Sequence, residues 1–418
     1  MSTAPSRVAR ILPTRLTATD LEPPLSKSDA QRALILADIT GAPLSLPADD
    51  QLPTDVRVLR AGLATLRHAT GPVEIDCADG GAPLRFLISQ AALPPSRTVR
   101  FTGTPRLGER PRSALLGALA STLGPHGFSF QDHQPWPLEL RGAQRTGQAG
   151  FQVDASESGQ FASSLLLAAA RLSSQEDRPW TLTLTGTLAS GGYVDLTVDW
   201  LRRAGFTVEG AGRNWTVRRQ QAPSSFQVPG DWSSLGYLLA LAWKSGGRVL
   251  RVDLDSVHPD REMVEVLRRA GARVEPDGPG TLRVQGPLQG PLTASGRHCP
   301  DLLPTVAALA VGAGVQALLS DVSFLRAKES DRVAGIQRLV EAAGGTTELE
   351  EDRLRVLPPA QAPEGIAFDP TGDHRLAMSA AVVACLLGAE LSLSSPDCVS
   401  KSFPGFWTQL RRLGVSID

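Results

Sequence analysis

One pattern recurs along the 418 residues and narrows the folds open to them: a helical stretch ending in Leu-x-x-x-Gly, a short alternating run, a turn, and a second alternating run. It is clearest at Leu201-Arg-Arg-Ala-Gly205, followed by Phe206-Thr-Val-Glu and Trp215-Thr-Val. It returns at Leu267-Arg-Arg-Ala-Gly271 with Ala272-Arg-Val-Glu, the turn Pro276-Asp-Gly-Pro-Gly280 and Thr281-Leu-Arg-Val. Weaker copies lie at 339–344 with Leu354-Arg-Val, at 410–414 with Val415-Ser-Ile and at 119–127 with Leu138-Glu-Leu, and a sixth is expected after Leu59. The glycine suits a left-handed cap, and the alternation that follows suits a half-buried strand. A spacing of about 60 to 80 residues is too long for a solenoid and fits a small α/β subdomain used several times. About three units on each side of a midpoint predict two similar α/β domains with a cleft between them.

The apolar runs 161–171, 235–243, 302–311 and 376–387 have almost no charged face, so they predict helices buried between sheets. A formal net charge of −1 argues against a nucleic-acid or anionic-membrane surface, so any anion site has to be local. Residues 1–10 are polar and no run approaches the roughly 20 apolar residues of a membrane span, which predicts a soluble, cytoplasmic protein. Cys77, Cys299, Cys385 and Cys398 have no CxxC spacing and the histidines no HxxxH spacing, so no metal site is indicated. The 42 basic residues comprise 38 arginines and only Lys27, Lys244, Lys328 and Lys401. A compact ammonium with three donors is not interchangeable with a guanidinium, which directs attention to the places where lysine stands.

Three of those lysines lie in short polar motifs. Pro24-Leu-Ser-Lys27-Ser28-Asp-Ala-Gln-Arg32 precedes an apolar helical run, placing backbone N–H groups, hydroxyls and an ammonium at a helix mouth. Leu325-Arg-Ala-Lys328-Glu329-Ser-Asp-Arg332 packs charges at a strand-to-helix junction, where cations oppose the helix dipole and call for an anionic partner. The third is Asp397-Cys-Val-Ser-Lys401-Ser-Phe-Pro404. Arg106-Leu-Gly-Glu-Arg110-Pro111, Val153-Asp-Ala-Ser-Glu-Ser158-Gly159-Gln160 and Gly372-Asp-His374-Arg375 have the same form, a basic or hydroxylated turn leading into a helix. Capping and solvated charge explain any one of them; their repetition in both halves points to anion binding.

With these residues laid out, the chain resembles the 5-enolpyruvylshikimate-3-phosphate synthase family over nearly its whole length. The matching pieces are Ser26-Lys-Ser28 with Arg32, Glu109-Arg-Pro111, Ser158 with Gln160, Ser190 with Tyr193-Val-Asp195, Gly230-Asp-Trp-Ser-Ser234, Pro300-Asp301, Lys328-Glu-Ser-Asp-Arg332, Asp373-His-Arg375 and Lys401-Ser-Phe-Pro404. The resemblance implies two inside-out α/β barrels of three helix-and-hairpin units each, one formed by 1–24 with 230–418 and one by 25–229, with the active site in the cleft. It implies attack of the 5-hydroxyl of shikimate-3-phosphate on C2 of phosphoenolpyruvate, a tetrahedral intermediate and loss of phosphate, with no metal or organic cofactor. Carried over by position, Lys27, Gly81, Arg110, Gln160, Arg332, His374, Arg375 and Lys401 would hold phosphoenolpyruvate. Lys27, Ser28, Arg32, Ser158, Gln160, Ser190, Tyr193, Asp301 and Lys328 would hold shikimate-3-phosphate. Lys27, Asp301 and Glu329 would be catalytic, Asp301 as the base for the 5-hydroxyl and Glu329 as the proton donor to C3. The implied partners are these two small molecules, with neither nucleic acid nor membrane, and a monomer is expected.

The chain departs from the family pattern in four places. Asp79-Gly-Gly-Ala82 stands where the family usually reads Asn-Ala-Gly-Thr, so a carboxylate adjoins the expected phosphoenolpyruvate site and a hydroxyl is lost. Leu25 replaces a glycine, Gly159 a serine and Phe324 an asparagine. Two alternatives accompany this reading: the related UDP-N-acetylglucosamine enolpyruvyl transferase, which usually has a cysteine where this chain has Pro105, and a non-catalytic anion-binding paralogue. Lys244 lies in no motif.

Overall fold

The computed structural model describes residues 8–12, 15–124, 127–133, 136–144, 148–221 and 225–418. Most of the polar amino-terminal stretch, residues 1–7, lies outside them, as do residues 125–126 of the repeat copy at 119–127. The chain forms two compact units: a discontinuous one, Met1–Ser26 with Pro229–Asp418, and a continuous one, Lys27–Val228.

The repeated pattern becomes a four-stranded sheet with one recurring order, seen five times among the described residues. In the continuous unit, strand Val73–Asp76 leads through helix Gly81–Ala92 to the parallel strand Thr98–Thr102. Helix Ser113–Leu123 then leads to an antiparallel hairpin, Ser129–Asp132 with Leu138–Arg141, whose second strand pairs with Thr98–Thr102. Parallel strands need a crossover and antiparallel ones only a turn, so the hairpin is the part most visible in sequence. Gly205, Gly271, Gly344 and Gly414, the glycines that close four of the repeat copies' helices, have φ of +79°, +105°, +80° and +89°. In that left-handed region a Cβ is penalised, which is why glycine ends each of these helices.

Two copies depart from the simple plan. The last helix, Phe406–Arg412, is followed by Ser416–Ile417, which pairs with Val8–Leu12 from the start of the chain. The closing hairpin is therefore built from both chain ends, and the discontinuous unit needs its amino-terminal segment. The copy expected after Leu59 is reduced: its helix, Thr54–His68, runs on to Val73–Asp76, the first strand of the next sheet. Among the described residues this copy shows one isolated parallel bridge, Leu44 to Phe226, in place of a sheet.

The apolar runs are the buried centre of each unit. Trp232–Ser245, Leu303–Ala313 and His374–Leu387 pack together in the discontinuous unit, and Lys27–Thr40 and Gly81–Ala92 each pack on Gly159–Glu176 in the continuous one. In Trp232–Ser245, Leu235, Tyr237, Leu238 and Leu239 point in different directions round the axis and are all at 0% exposure, so the centre of the helix has no solvent face. Each such side chain contributes about 1.5–3 kcal/mol relative to exposure. Helices facing inward and sheets outward reverse the usual arrangement, and they make the first turn of each inner helix the critical place. Its N–H groups have no partner within the helix. Caps meet part of the need: Asp231 Oδ2 accepts from Ser234 N at 2.9 Å, Asp373 Oδ1 from Arg375 N at 2.9 Å and Ser158 Oγ from Gln160 N at 3.3 Å. Lys244, exposed in the last turn of Trp232–Ser245, complements the negative end of that helix, which accounts for the one lysine outside the motifs. No helix among the described residues is long and apolar enough to cross a membrane.

Close packing of the inner helices rests on missing side chains. A Cβ on Gly312 would overlap Leu386 Cβ in the facing helix, and the tip of a leucine could swing away but its Cβ cannot. Gly312→Ala is expected to destabilise the fold by about 1–3 kcal/mol, the usual range for overpacking, as a lower urea midpoint with an unchanged m-value. An unchanged midpoint would show that the contact is not tight.

Candidate active site

In the discontinuous unit, the charged motifs meet on one guanidinium. Arg332, 1% exposed, donates through Nη1 to Asp301 Oδ1, through Nη2 to Glu329 Oε2 and through Nε to Asp373 Oδ2, each at 2.8 Å. Arg375 Nη2 donates to the second oxygen of Asp301 at 2.6 Å, and Lys401 Nζ lies 4.0 Å from Glu329 Oε1. Ser330 Oγ adds a 3.0 Å bond to Asp373. Cations and carboxylates thus alternate: Arg332, Arg375 and Lys401 against Asp301, Glu329 and Asp373. Burial on its own would lower the Arg332 pKa, but Asp373, Glu329 and Asp301 outweigh it and hold the group above its ordinary value. The anionic partner that a cation at this helix start calls for is supplied here by the chain itself. His374 is fully buried, its Nδ1 3.8 Å from Asp373 Oδ1, and Lys328 is half-buried beside the cluster.

Behind Asp301 lies a carboxylate that the sequence motifs did not single out. Asp260 is fully buried and accepts from Ser233 Oγ at 2.5 Å, while its N–H donates to His258 Nδ1 at 3.1 Å. Burial pushes its carboxyl upward and Asp301 adds to this, against His258 and Arg375. Its only sequence signal is a His-Pro-Asp turn before an amphipathic helix, which reads as an ordinary cap.

The continuous unit gathers a second set. Lys27 at the head of its helix places Nζ 3.2 Å from Asp55 Oδ2, and Asp55 Oδ1 lies about a contact distance from the Gly80 turn. A Cβ on Gly81 would overlap the Arg110 guanidinium, so glycine there is what lets Arg110 lie against the first turn of Gly81–Ala92. Arg85, on the same helix, stacks 5.4 Å above the Phe161 ring and donates to Gln160 Oε1 at 2.6 Å and to Pro111 O at 2.7 Å. Arg85 thereby ties the Arg110-Pro111 turn to the Ser158–Gln160 turn. A lone arginine in an otherwise apolar helix is the signal that could have found it; Asp55, in an ordinary amphipathic helix, gives none.

Arg32 is handled differently. It is 3% exposed and donates to Thr197 Oγ1 at 2.8 Å, Ser28 O at 2.7 Å and Tyr193 O at 2.8 Å, all neutral acceptors. Burial lowers its pKa to about 10, with Asp29 and Tyr193 acting in the opposite direction. A buried cation held by neutral groups keeps a field that favours an anion nearby. Ser190 begins helix Gly191–Arg203 at φ +55° and makes no capping bond with its side chain.

The departures from the family pattern also have physical settings. A Cβ on Gly159 would overlap the carbonyl of Ala189, so a serine there is incompatible with this turn. Phe324 packs on the core and lies 5.2 Å from the Arg297 guanidinium as a cation–π pair. Leu25 forms an antiparallel bridge with Gly230. Asp79 is half-buried in the turn before Gly81–Ala92, where Ala78 takes φ +50°. Among the described residues, no group of three or more His, Cys, Asp or Glu is placed to hold a metal ion.

Cations thus stand at the heads of inner helices within two units of helix-centred α/β repeats. The fold matches the EPSP synthase of Acinetobacter baumannii with a TM-score of 0.73 at 18% identity, covering 98% of this chain and 99% of that one. The enolpyruvyl transferase NikO of Streptomyces tendae gives a TM-score of 0.70 at 17% identity, covering 99% of each. In sequence, the 3-phosphoshikimate 1-carboxyvinyltransferase of Methanoculleus marisnigri is 37% identical over 407 residues, 96% of this chain and 92% of the relative. That of Methanopyrus kandleri is 33% identical over 404 residues, 96% of this chain and 91% of the relative. The family model for EPSP synthase (3-phosphoshikimate 1-carboxyvinyltransferase) matches residues 53–410, and the chain belongs to that family.

Arg332→Ala would leave Asp373, at 0% exposure, without its guanidinium partner. Breaking one side of a buried pair typically costs about 3–5 kcal/mol, so a loss of that order is expected in urea unfolding of the variant. A change below about 1 kcal/mol would mean that the carboxylates are compensated by other groups.

Proposed function

We propose that this chain transfers the enolpyruvyl group of phosphoenolpyruvate to the 5-hydroxyl of shikimate-3-phosphate, releasing phosphate. Family membership over residues 53–410, together with two separate gatherings of buried cations, carries this reading. Two polyanions approach each other only when cations offset their repulsion, and the same cations stabilise charge that develops during reaction. Arg110, Gln160 and Lys27 from the continuous unit, and Arg332, His374, Arg375 and Lys401 from the discontinuous one, take phosphoenolpyruvate, with Gly81 leaving room at Arg110. Lys27, Ser28, Arg32, Ser158, Gln160, Ser190, Tyr193, Asp301 and Lys328 take shikimate-3-phosphate. Each unit serves as one domain of a monomeric cytoplasmic enzyme that acts on small molecules without metal or organic cofactor.

The alternation of charges around Arg332 suggests how acid and base are made ready. A substrate anion that binds Arg332, Arg375 and Lys401 competes with Asp301 and Glu329 for the same donors. A carboxylate that loses its cationic partner holds a proton more readily. Asp301, released from Arg332 and Arg375, accepts the proton of the 5-hydroxyl as its oxygen bonds to C2. Glu329, released from Arg332 and Lys401, gives a proton to C3, completing the tetrahedral intermediate. Return of a C3 proton to Glu329 and cleavage of the bond between C2 and the bridging oxygen of the phosphate then form the enol ether, and the departing phosphate takes up the proton that Asp301 accepted. Lys27, tied to Asp55, supplies the ammonium that neutralises the bridging oxygen.

Mixing the purified protein with phosphoenolpyruvate and shikimate-3-phosphate is expected to release phosphate, and replacing the second substrate by UDP-N-acetylglucosamine is expected to release none. Binding of both shikimate-route substrates by calorimetry without phosphate release at saturation would favour a non-catalytic anion-binding role. Glu329→Gln is expected to lower turnover by at least about 100-fold, the low end for general acid–base catalysis, with shikimate-3-phosphate binding largely intact. Near-normal turnover would remove Glu329 from this role.

A further inference from the structure

At the opposite end of the continuous unit's inner helices lies a cavity of about 270 Å³ that no step of the proposed reaction uses. Its polar lining is Asp38, Arg67, Gln90, Arg97, Arg171 and Gln175. Lys27 and Asp38 are eleven residues apart on one helix, as are Gln160 and Arg171 on another, so the cavity stands roughly 16 Å along the helices from the substrate residues.

Three guanidiniums there face one carboxylate. Arg171 Nη2 donates to Asp38 Oδ2 at 2.5 Å, and Arg67 pairs with the other Asp38 oxygen. Arg97 has no carboxylate partner among the described residues; it donates to the carbonyl of Leu66 at the end of helix Thr54–His68. Burial first, and then repulsion from Arg171, hold Arg97 below its ordinary pKa, with Asp38 acting in the other direction. Helix carbonyls account for part of this gathering, but not for the amide beside it. Gln90 is 5% exposed, its Oε1 accepts from Arg171 Nε, and its Nε2 has no hydrogen-bond partner among the described residues. Turning the amide over would set Nε2 against the Arg171 donor, so Gln90 is fixed as a buried donor that lacks an acceptor.

We propose that this cavity is a second oxyanion site, which takes a phosphate dianion, free or as a monoester, between Arg67, Arg97, Arg171 and the Gln90 amide. A phosphate supplies the acceptors that Gln90 Nε2 and the spare guanidinium N–H groups require, and its two charges match the excess of three cations over one carboxylate.

The test is Gln90→Glu in the full chain. It keeps the oxygen that receives Arg171, so the fold is retained, and it exchanges the donor for a carboxylate that repels the ligand. Equilibrium dialysis at constant ionic strength against inorganic phosphate and, separately, glycerol 3-phosphate counts bound ligand per chain. The wild type is expected to bind one more phosphate than the variant, or to bind it at this site at least ten times more tightly. Whichever of the two probes binds tighter identifies the free anion or the ester as occupant. The same count and affinity in both proteins would overturn the proposal. Phosphate held at substrate residues adds equally to both and cancels. Should Gln90→Glu fail to fold, Arg97→Gln gives the same comparison, with Arg97→Lys expected to restore the bound phosphate.

Discussion

A charge taken out of water has to be met by another charge or by well-placed dipoles, and the buried cations of this chain are met in two different ways. Arg332 is ringed by Asp301, Glu329 and Asp373, residues brought from three separate stretches of the discontinuous unit. At an effective dielectric constant near 20, two unit charges about 4 Å apart interact by about 4 kcal/mol, enough to fix the register of the elements that carry them. Asp373 also caps helix His374–Leu387, and Asp301 stands just before Leu303–Ala313, so one guanidinium draws the heads of two inner helices toward Arg332–Ala342. The interior packing and the arrangement of the site are consequently one constraint.

The continuous unit uses the other solution. Arg32 is satisfied by backbone carbonyls and a hydroxyl, and its positive field is left for a ligand to neutralise. Arg85 spends its donors on Gln160 and on the Pro111 carbonyl, stiffening the turns that carry Arg110 and Ser158. In one unit an arriving anion exchanges with carboxylates already in place; in the other it meets Arg32, whose partners are neutral, as well as Lys27, which is paired with Asp55. That division suits a reaction in which acid and base are released by the binding of substrate.

The family departures are of two kinds: Asp79 adds a carboxylate in the turn before Gly81–Ala92, whereas Gly159 and Phe324 answer to local packing. The Ala189 carbonyl occupies the volume a serine at 159 would need, and Phe324 exchanges a polar amide for packing on the core and a contact with Arg297.

Periodicity and glycine placement were enough to reveal the helix-and-hairpin units, because a left-handed cap and an alternating strand are local demands written in adjacent residues. The apolar runs likewise announced buried helices before any partner was known. Sequence did not reveal that the final hairpin borrows Val8–Leu12, that the copy after Leu59 shrinks to the Leu44–Phe226 bridge, or that parallel strands complete every sheet. Those depend on pairings between distant segments. The polar motifs named the cations, while Asp55, Arg85 and Asp260 escaped notice because each looks like an ordinary helix residue until its neighbour is known. The sequence by itself determined which groups carry charge and where helices begin; only the tertiary structure decided which charges meet, because a carboxylate 31 residues away from Arg332 and another 41 away become neighbours through packing alone.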